Sequence, residues 1–351
     1  MRVRGPALLV VALAASCASH TSEQSLAAPA GRGADFNREI VASTSVPTSA
    51  APSAPTVTTT TTTTTRPPLG VASLAQSPRS GPSVVVTPTG VVLPVLAVED
   101  GNRLRVRTVC GGEAEYSGPG RRYDRVHVVL DPGHGGMDPG AVQNGIRESD
   151  VNLDVAQRVR AHLEGEGVDV VLTRESDYYV PFVVRGELAL NSKAALFVSI
   201  HHNSGGASLG SDPGTEVFYQ QLDANSRRLA GLLWEDVTAA LRVHPIQWYG
   251  AAGAGALFRE GRTGPDFYGV LRRTAGVPAA LLEIAYLSNP REAALVATEA
   301  FREESAAAVA RAITRYFTTE DPGGGFTAPR GAGPPTTPTG GTAGCVEPPY
   351  E

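Results

Sequence analysis

Four residues spread along this chain carry side chains that bind metal ions or move protons: His134, Glu148, His201 and Glu283. His134 stands in Asp131-Pro132-Gly133-His134-Gly135-Gly136, directly after the apolar run Val126 to Leu130. Proline cannot continue a strand ladder and glycine permits a turn, so the histidine belongs on a loop just past a strand's carboxyl end. A loop histidine without partners is often inert, so its partners decide its role. Glu148 opens a helical pattern, where a carboxylate also suits the macrodipole with no further task. His201 and His202 close the apolar run Ala195 to Ile200, and adjacent strand residues point to opposite faces, so one of the two joins a shared site. Glu283 follows Ala279-Ala280-Leu281-Leu282, and a carboxylate directly after a buried strand needs a partner or a catalytic task.

The elements that must position these residues alternate strand and helix. Helical patterns run over about 149–164, 182–193, 225–241 and 266–274, with a last one ending near Phe317. Strand patterns cover 126–130, 168–172, 195–200, 216–219 and 279–282. This alternation predicts an α/β fold: one domain with a mostly parallel twisted sheet flanked by helices on both faces. In such sheets ligands gather at the carboxyl edge of the strands, and all four residues fall there. Two imidazoles and a carboxylate suit zinc. Three protein ligands leave a fourth position for water, which marks a catalytic rather than a structural site. Glu283 is then the general base.

The remainder of the chain is organised around that domain, expected at 126–317. Arg2, Arg4 and the short apolar run Ala7 to Ala15 read as an export signal over 1–17, too short to span a membrane. Leu13-Ala14-Ala15-Ser16-Cys17 resembles a lipobox, which makes membrane attachment through a lipidated Cys17 a candidate beside ordinary cleavage near Ala18. Residues 18–82, with the homopolymer Thr58 to Thr65, cannot bury enough apolar surface to offset ordering entropy and read as a disordered tether. A small β-rich appendage is expected at 83–125, packed on the body, and a disordered Gly/Pro-rich tail at 318–351. With three cysteines in all, Cys110 and Cys345 are the candidate pair for a disulfide in an exported protein. The net charge of −5 and the lack of a basic block argue against nucleic acid as a partner.

The chain resembles the zinc-dependent N-acetylmuramoyl-L-alanine amidases of bacterial cell walls. The resemblance is carried by Leu130-Asp-Pro-Gly-His-Gly-Gly136, Glu148-Ser-Asp-Val-Asn-Leu153, Leu172-Thr-Arg-Glu-Ser-Asp177, Arg185, Ser199-Ile-His-His-Asn203 and Leu282-Glu-Ile-Ala-Tyr-Leu-Ser-Asn289. It implies that His134, Glu148 and His201 bind Zn2+ and that Glu283 is the catalytic glutamate. The implied substrate is peptidoglycan, cut at the amide between N-acetylmuramic acid and L-alanine, in the cell wall or on the outer face of the cytoplasmic membrane. A protein activator is a candidate further partner, because some relatives carry a helix over the zinc until an activator moves it. His202 stands where the family often has Ala, and residues 250–262 match little of the family pattern.

Two other classes remain open at this level: a catalytically silent wall-binding or regulatory protein on the same fold, and a zinc peptidase cutting within the stem peptide. The first would show an altered ligand or glutamate, and the second would release different products. Gly206-Ala-Ser-Leu-Gly210 matches the serine-hydrolase pattern but lies in a polar loop, without the strand and helix that a nucleophile elbow needs. Arg174 and Arg185 read as structural or wall-binding, and Asn203 as orienting a ligand or serving the fold. His127, His162 and His244 read as packing or surface residues, and Trp234 as core.

Overall fold

The computed structural model describes residues 81–100, 103–333 and 340–351. The expected export signal, Cys17 and nearly all of the tether lie outside the described residues. Five short strands come first: β1 (Val84–Val86), β2 (Val92–Val98), β3 (Leu104–Arg107), β4 (Glu113–Tyr116) and β5 (Arg121–Tyr123). They form one antiparallel sheet in the order β4-β3-β2-β1-β5. Then follow β6 (Val128–Pro132), the hairpin β7 (Val142–Gln143) and β8 (Ile146–Arg147), α1 (Glu148–Gly165), β9 (Val170–Leu172), α2 (Phe182–Ser192) and β10 (Leu196–Asn203). The second half comprises β11 (Ser208–Gly210), β12 (Glu216–Tyr219), α3 (Ala224–Leu241), β13 (Trp248–Gly250), β14 (Ala256–Leu257) and α4 (Gly269–Arg273). It ends with β15 (Ala279–Tyr286), α5 (Pro290–Val296) and α6 (Glu299–Thr318).

The main sheet has six strands in the order β14-β12-β15-β10-β6-β9. Strands β9, β6, β10 and β15 are parallel, while β12 runs antiparallel to β15. The connection from β10 to β12 contains no helix to carry the chain back across the sheet, so β12 enters reversed. Side-chain alternation sorts the core into two layers. Val128, Leu130, Leu196, Val198, Ile200, Ala280 and Leu282 pack with α1, α3 and α6. Val129, Phe197, Ala279 and Leu281 pack on the other face with α2, α4 and the inner residues Val84, Val86 and Val92 of the small sheet. The other side of the small sheet closes over Tyr178, Val180 and Val184, so the appendage shares the body's core.

Three expectations need correction. The helix expected over 266–274 is only the five residues of α4, because Asp266 is drawn aside to accept from the Gln221 N–H at 2.8 Å. The strand expected to stop at Leu282 runs on to Tyr286, since Ile284, Ala285 and Tyr286 after Glu283 are themselves buried. The tail expected to be disordered follows a defined path wherever it is described. Residues 325–330 lie along the edge of β14, with bridges Ala256↔Phe326 and Arg259↔Arg330. Its glycines serve close approach rather than flexibility: a Cβ on Gly325 would fall 2.0 Å from the Trp234 ring. Further on, Cys345 is disulfide-bonded to Cys110, and Glu347 accepts the N–H groups of Val109 at 3.1 Å and Cys110 at 3.0 Å. Composition alone cannot distinguish a solvated Gly/Pro coil from one that needs glycine to pack.

At the carboxyl end of β6 the chain turns sharply, and two buried arginines hold the turn. Arg185 donates from Nη1 to Asp131 Oδ1 at 2.6 Å and to the Pro132 carbonyl at 3.0 Å, and from Nη2 to the His134 carbonyl at 2.8 Å. Arg174 donates to the carbonyls of Pro132 at 3.1 Å, Gly133 at 3.0 Å and Ser149 at 2.7 Å. Asp131 also accepts from Thr173 and Ser199, each at 2.6 Å, so its buried carboxylate is saturated. Burial alone would raise the Asp131 carboxyl, but the Arg185 charge and these hydrogen bonds hold it below the usual range. A carboxyl depressed in this way stabilises the fold above the unfolded-state value of about 4 and loses that contribution as pH falls toward the folded value. Replacing Arg185 with Ala leaves Asp131 buried without its counter-charge, and the expected loss is about 3–5 kcal/mol at pH 7. Urea unfolding of parent and variant should show that gap, narrowing as the pH drops through the carboxylate range; a loss below about 1 kcal/mol would mean the pair is not structural.

Candidate metal and catalytic site

His134 sits in the clamped turn with φ of 62°, a left-handed backbone that few non-glycine residues adopt. The strain is held by its surroundings, since both arginines pull on carbonyls at or beside it. His134 Nδ1 lies 2.9 Å from Asp138 Oδ2, which orients the ring and turns Nε2 toward the interior. There Nε2 lies 3.2 Å from Glu148 Oε1.

Glu148 is placed by a tight hairpin. Asn144 and Gly145 both have positive φ, 49° and 80°, the type I′ pairing that turns β7 into β8, which leads directly into α1. Its carboxylate is buried. Oε2 accepts the Ala141 N–H at 2.8 Å, and Oε1 takes the Asn152 side chain at 3.2 Å and lies 3.0 Å from His201 Nδ1. Gly140 is required here, since a Cβ would come 2.6 Å from Glu148 Oε2 and 2.7 Å from the His134 ring. The helix start therefore favours this carboxylate, but its side chain is turned to the two histidines rather than left in water.

The register of β10 separates the paired histidines. His201 shares the face of Phe197 and Ser199, while His202 turns under α1, with Nδ1 2.8 Å from Asn152 Oδ1. Burial pushes His202 down to about 4, so it stays neutral in the core. The His201 ring stands edge-on to that of His134, with centroids 4.8 Å apart. Gly133 leaves it room, because a Cβ there would meet the His201 ring at 2.1 Å.

The structure thus brings His134, Glu148 and His201 together, with one donor atom from each lying within 4.8 Å of the others. Among the described residues this is the one group of three or more His, Cys, Asp or Glu side chains able to share an ion. Burial opposes a charge on His134, but hydrogen bonds to Asp138 and Glu148 outweigh it and push the ring up to about 9. Burial likewise works against the Glu148 charge, yet His134 and His201 hold that carboxyl well below the usual range.

Glu283 lies opposite His201 in the parallel ladder and lines the same cleft, about 300 Å³ in volume, with His134, Tyr179, Phe182, Tyr268 and Leu281. Its Oε2 is buried and has no hydrogen-bond partner among the described residues. Burial raises this carboxyl well above the usual value, and the negative charges of Glu148 and Glu216 add to the effect. A divalent cation held by the three neighbouring donors would oppose both. The donor set and this orphaned oxygen both fit a metal-assisted proton transfer.

Sequence reasoning missed Asp138, which sits in the same glycine-rich loop as His134, and Glu216, which opens β12. The rule that singled out Glu283, a carboxylate directly after a buried apolar run, passes over Glu216, which precedes its run. Arg174 and Arg185 are structural, as their backbone bonds show. Ser208 is exposed on β11 in a two-stranded ribbon and has no following helix. His162 Nε2 lies 2.7 Å from Glu303 Oε1, and His244 Nε2 lies 2.7 Å from Glu304 Oε2, both away from the site.

A family model described as N-acetylmuramoyl-L-alanine amidase matches residues 128–315. The chain is 33% identical over 192 residues to the uncharacterized protein YqiI of Bacillus subtilis (strain 168), covering 54% of this chain and 84% of that one. It is 31% identical over 218 residues to N-acetylmuramoyl-L-alanine amidase AmiA of Escherichia coli (strain K12), covering 54% and 75%. Among solved structures, the catalytic domain of CwlV, an N-acetylmuramoyl-L-alanine amidase from Bacillus (Paenibacillus) polymyxa var. colistinus, is 34% identical. That match covers 56% of this chain and 99% of the other, with a TM-score of 0.46. The match of the family model over more than half of the chain, on the strands and helices that carry the site, shows that this chain belongs to the N-acetylmuramoyl-L-alanine amidase family.

Proposed function

We propose that this enzyme hydrolyses the amide between N-acetylmuramic acid and the L-alanine of peptidoglycan stem peptides, with zinc held by His134, Glu148 and His201. The observation that carries the reading is the convergence of those three donors beside the unpartnered oxygen of Glu283. Bound there, zinc supplies Lewis acidity, which polarises the scissile carbonyl and acidifies a water. Glu283 Oε2 takes a proton from the attacking water as its oxygen bonds to the carbonyl carbon. The same oxygen then returns the proton to the nitrogen as the C–N bond breaks, leaving a muramic acid carboxylate and a free alanine amine. Asp138 holds His134 in the tautomer that keeps Nε2 free to ligate. Tyr179, Phe182 and Tyr268 give the cleft apolar walls against which the sugar and peptide lie.

The same reading places the enzyme outside the cytoplasmic membrane, in the wall or at the membrane's outer face. The Cys110–Cys345 disulfide fits an oxidising compartment, and the basic and apolar residues of 1–17 support export. Attachment through a lipidated Cys17 belongs to this proposal, as does a protein activator. No described helix is long and apolar enough to cross a membrane.

Purified peptidoglycan, digested with and without a chelator, tests the chemistry. The expected products are intact stem peptides and unsubstituted muramic acid, with release abolished by the chelator and restored by zinc. Cleavage inside the stem, or turnover indifferent to the chelator, would overturn the reading. Glu283→Ala should retain about one equivalent of metal while losing roughly 10²–10⁴ in kcat, the range for a general acid–base residue. Metal analysis also separates the paired histidines. His201→Ala should purify without zinc, whereas His202→Ala should keep it and lose only thermal stability. The reverse pattern would exchange their roles.

A further inference from the structure

The residues after 318 reach Glu216, the partner of Glu283 across β12 and β15, although the family match ends at residue 315. Along the edge of β14, Arg330 donates its N–H to the Phe258 carbonyl at 3.0 Å and accepts the Glu260 N–H at 2.9 Å. Its N–H and carbonyl are therefore both paired with the same neighbouring segment, as in an added parallel strand. Its guanidinium lies over the Phe218 ring, 5.4 Å from the centroid, and donates from Nη2 to Glu216 Oε1. The other oxygen of Glu216 accepts from Asn203 Nδ2 at 2.8 Å, two residues after His201.

Glu216 is almost fully buried and stands directly opposite Glu283 in the antiparallel register of β12 and β15. Directly opposed residues share a face with their Cβ atoms about 5 Å apart, and like charges so placed repel. Three carboxylates thus converge on this part of the site, and their partners differ. Glu148 has two histidines, Glu216 has Arg330, and Oε2 of Glu283 has no partner among the described residues. Without Arg330, Glu216 would be a buried charge with only an amide for company, in the position best placed to disturb Glu283 or to draw Asn203 away from β10.

We propose that Arg330, delivered by the C-terminal extension, is a positioning residue of the catalytic site: it balances Glu216, so that Glu283 faces the cleft without an uncompensated like charge beside it. The extension is then a working part of this enzyme, tied to its matched domain by the β14 edge and tied to the small sheet through Cys345. The inference rests on the proposed amidase chemistry, and the parent's own turnover tests that chemistry separately.

The test measures kcat and KM of the full chain on a soluble N-acetylmuramoyl stem peptide, with zinc content and thermal unfolding recorded for each variant. Arg330→Met should lower kcat about tenfold or more while KM moves less than about twofold, as expected when the loss falls on the reacting state rather than on binding. Arg330→Lys should retain most of the activity, because the positive charge remains. Glu216→Gln combined with Arg330→Met should recover kcat to within about threefold of the parent, since neither charge is left alone. An unchanged kcat in folded Arg330→Met overturns the proposal, as does an equal loss in the Met and double variants. If Arg330→Met does not fold, the double variant decides alone, and its own failure to fold or to turn over would also overturn it. A parent that cannot cleave the amide refutes the underlying reading instead.

Discussion

The site depends on one strained turn. His134 must leave β6 with a left-handed backbone so that its ring reaches back over the sheet edge toward Glu148. Such a conformation is unfavourable by about 1–3 kcal/mol for a residue with a side chain, and it persists only where the surroundings overdetermine it. Here two guanidinium groups, fixed in turn by Asp131 and by backbone carbonyls, grip three successive carbonyls from Pro132 to His134. A buried ion pair is a poor source of stability by comparison with apolar packing, but it is a good source of direction. Asp131 and Arg185 direct the histidine while standing outside the donor set themselves.

The same logic governs the glycines. Gly133 and Gly140 are needed because the His201 ring and the Glu148 carboxylate occupy the space that a Cβ would take. The glycine-rich loop is therefore shaped to two candidate metal-binding side chains that arrive from distant parts of the chain. Preorganisation of this kind lets three donors wait within reach of one ion, with the hydrogen bond to Asp138 already choosing the ring orientation.

Much of this was legible in the sequence, and the reason is periodicity. The strand β12 and the helices α1, α2 and α3 follow from apolar spacing within a residue or two, whereas β6 and β10 run on past their apolar stretches, to Pro132 and Asn203 rather than Leu130 and Ile200. The two-residue period also accounts for the division of labour between His201 and His202, once the face of Phe197 is known. What spacing could not supply is direction and company. Nothing local marks β12 as reversed, because strand direction is set by the connection rather than by the strand. Arg174 and Arg185 read as generic basic residues until their carbonyl partners come into view. Glu216 shows the limit most plainly: it precedes its apolar run instead of following one, and only the register reveals that it faces Glu283.

The tail illustrates the opposite error, in which composition was over-read. Gly323 and Gly325 with positive φ, beside Pro322, have the signature of an unstructured linker, and the usual inference is that such a segment cannot offset its ordering entropy. That inference counts only the apolar surface that the segment itself brings. Here the body supplies the surface: Trp234 lies against Gly325, the Arg227 guanidinium stacks on Phe326, and the open edge of β14 accepts backbone hydrogen bonds. An exposed sheet edge is a liability that a protein must cover. Once a segment is drafted to cover this one, its next residues are carried to the start of β12, where the buried Glu216 takes the Arg330 guanidinium. The covering of an edge and the balancing of Glu216 are thus one structural solution, reached by a stretch whose own sequence gives little sign of either.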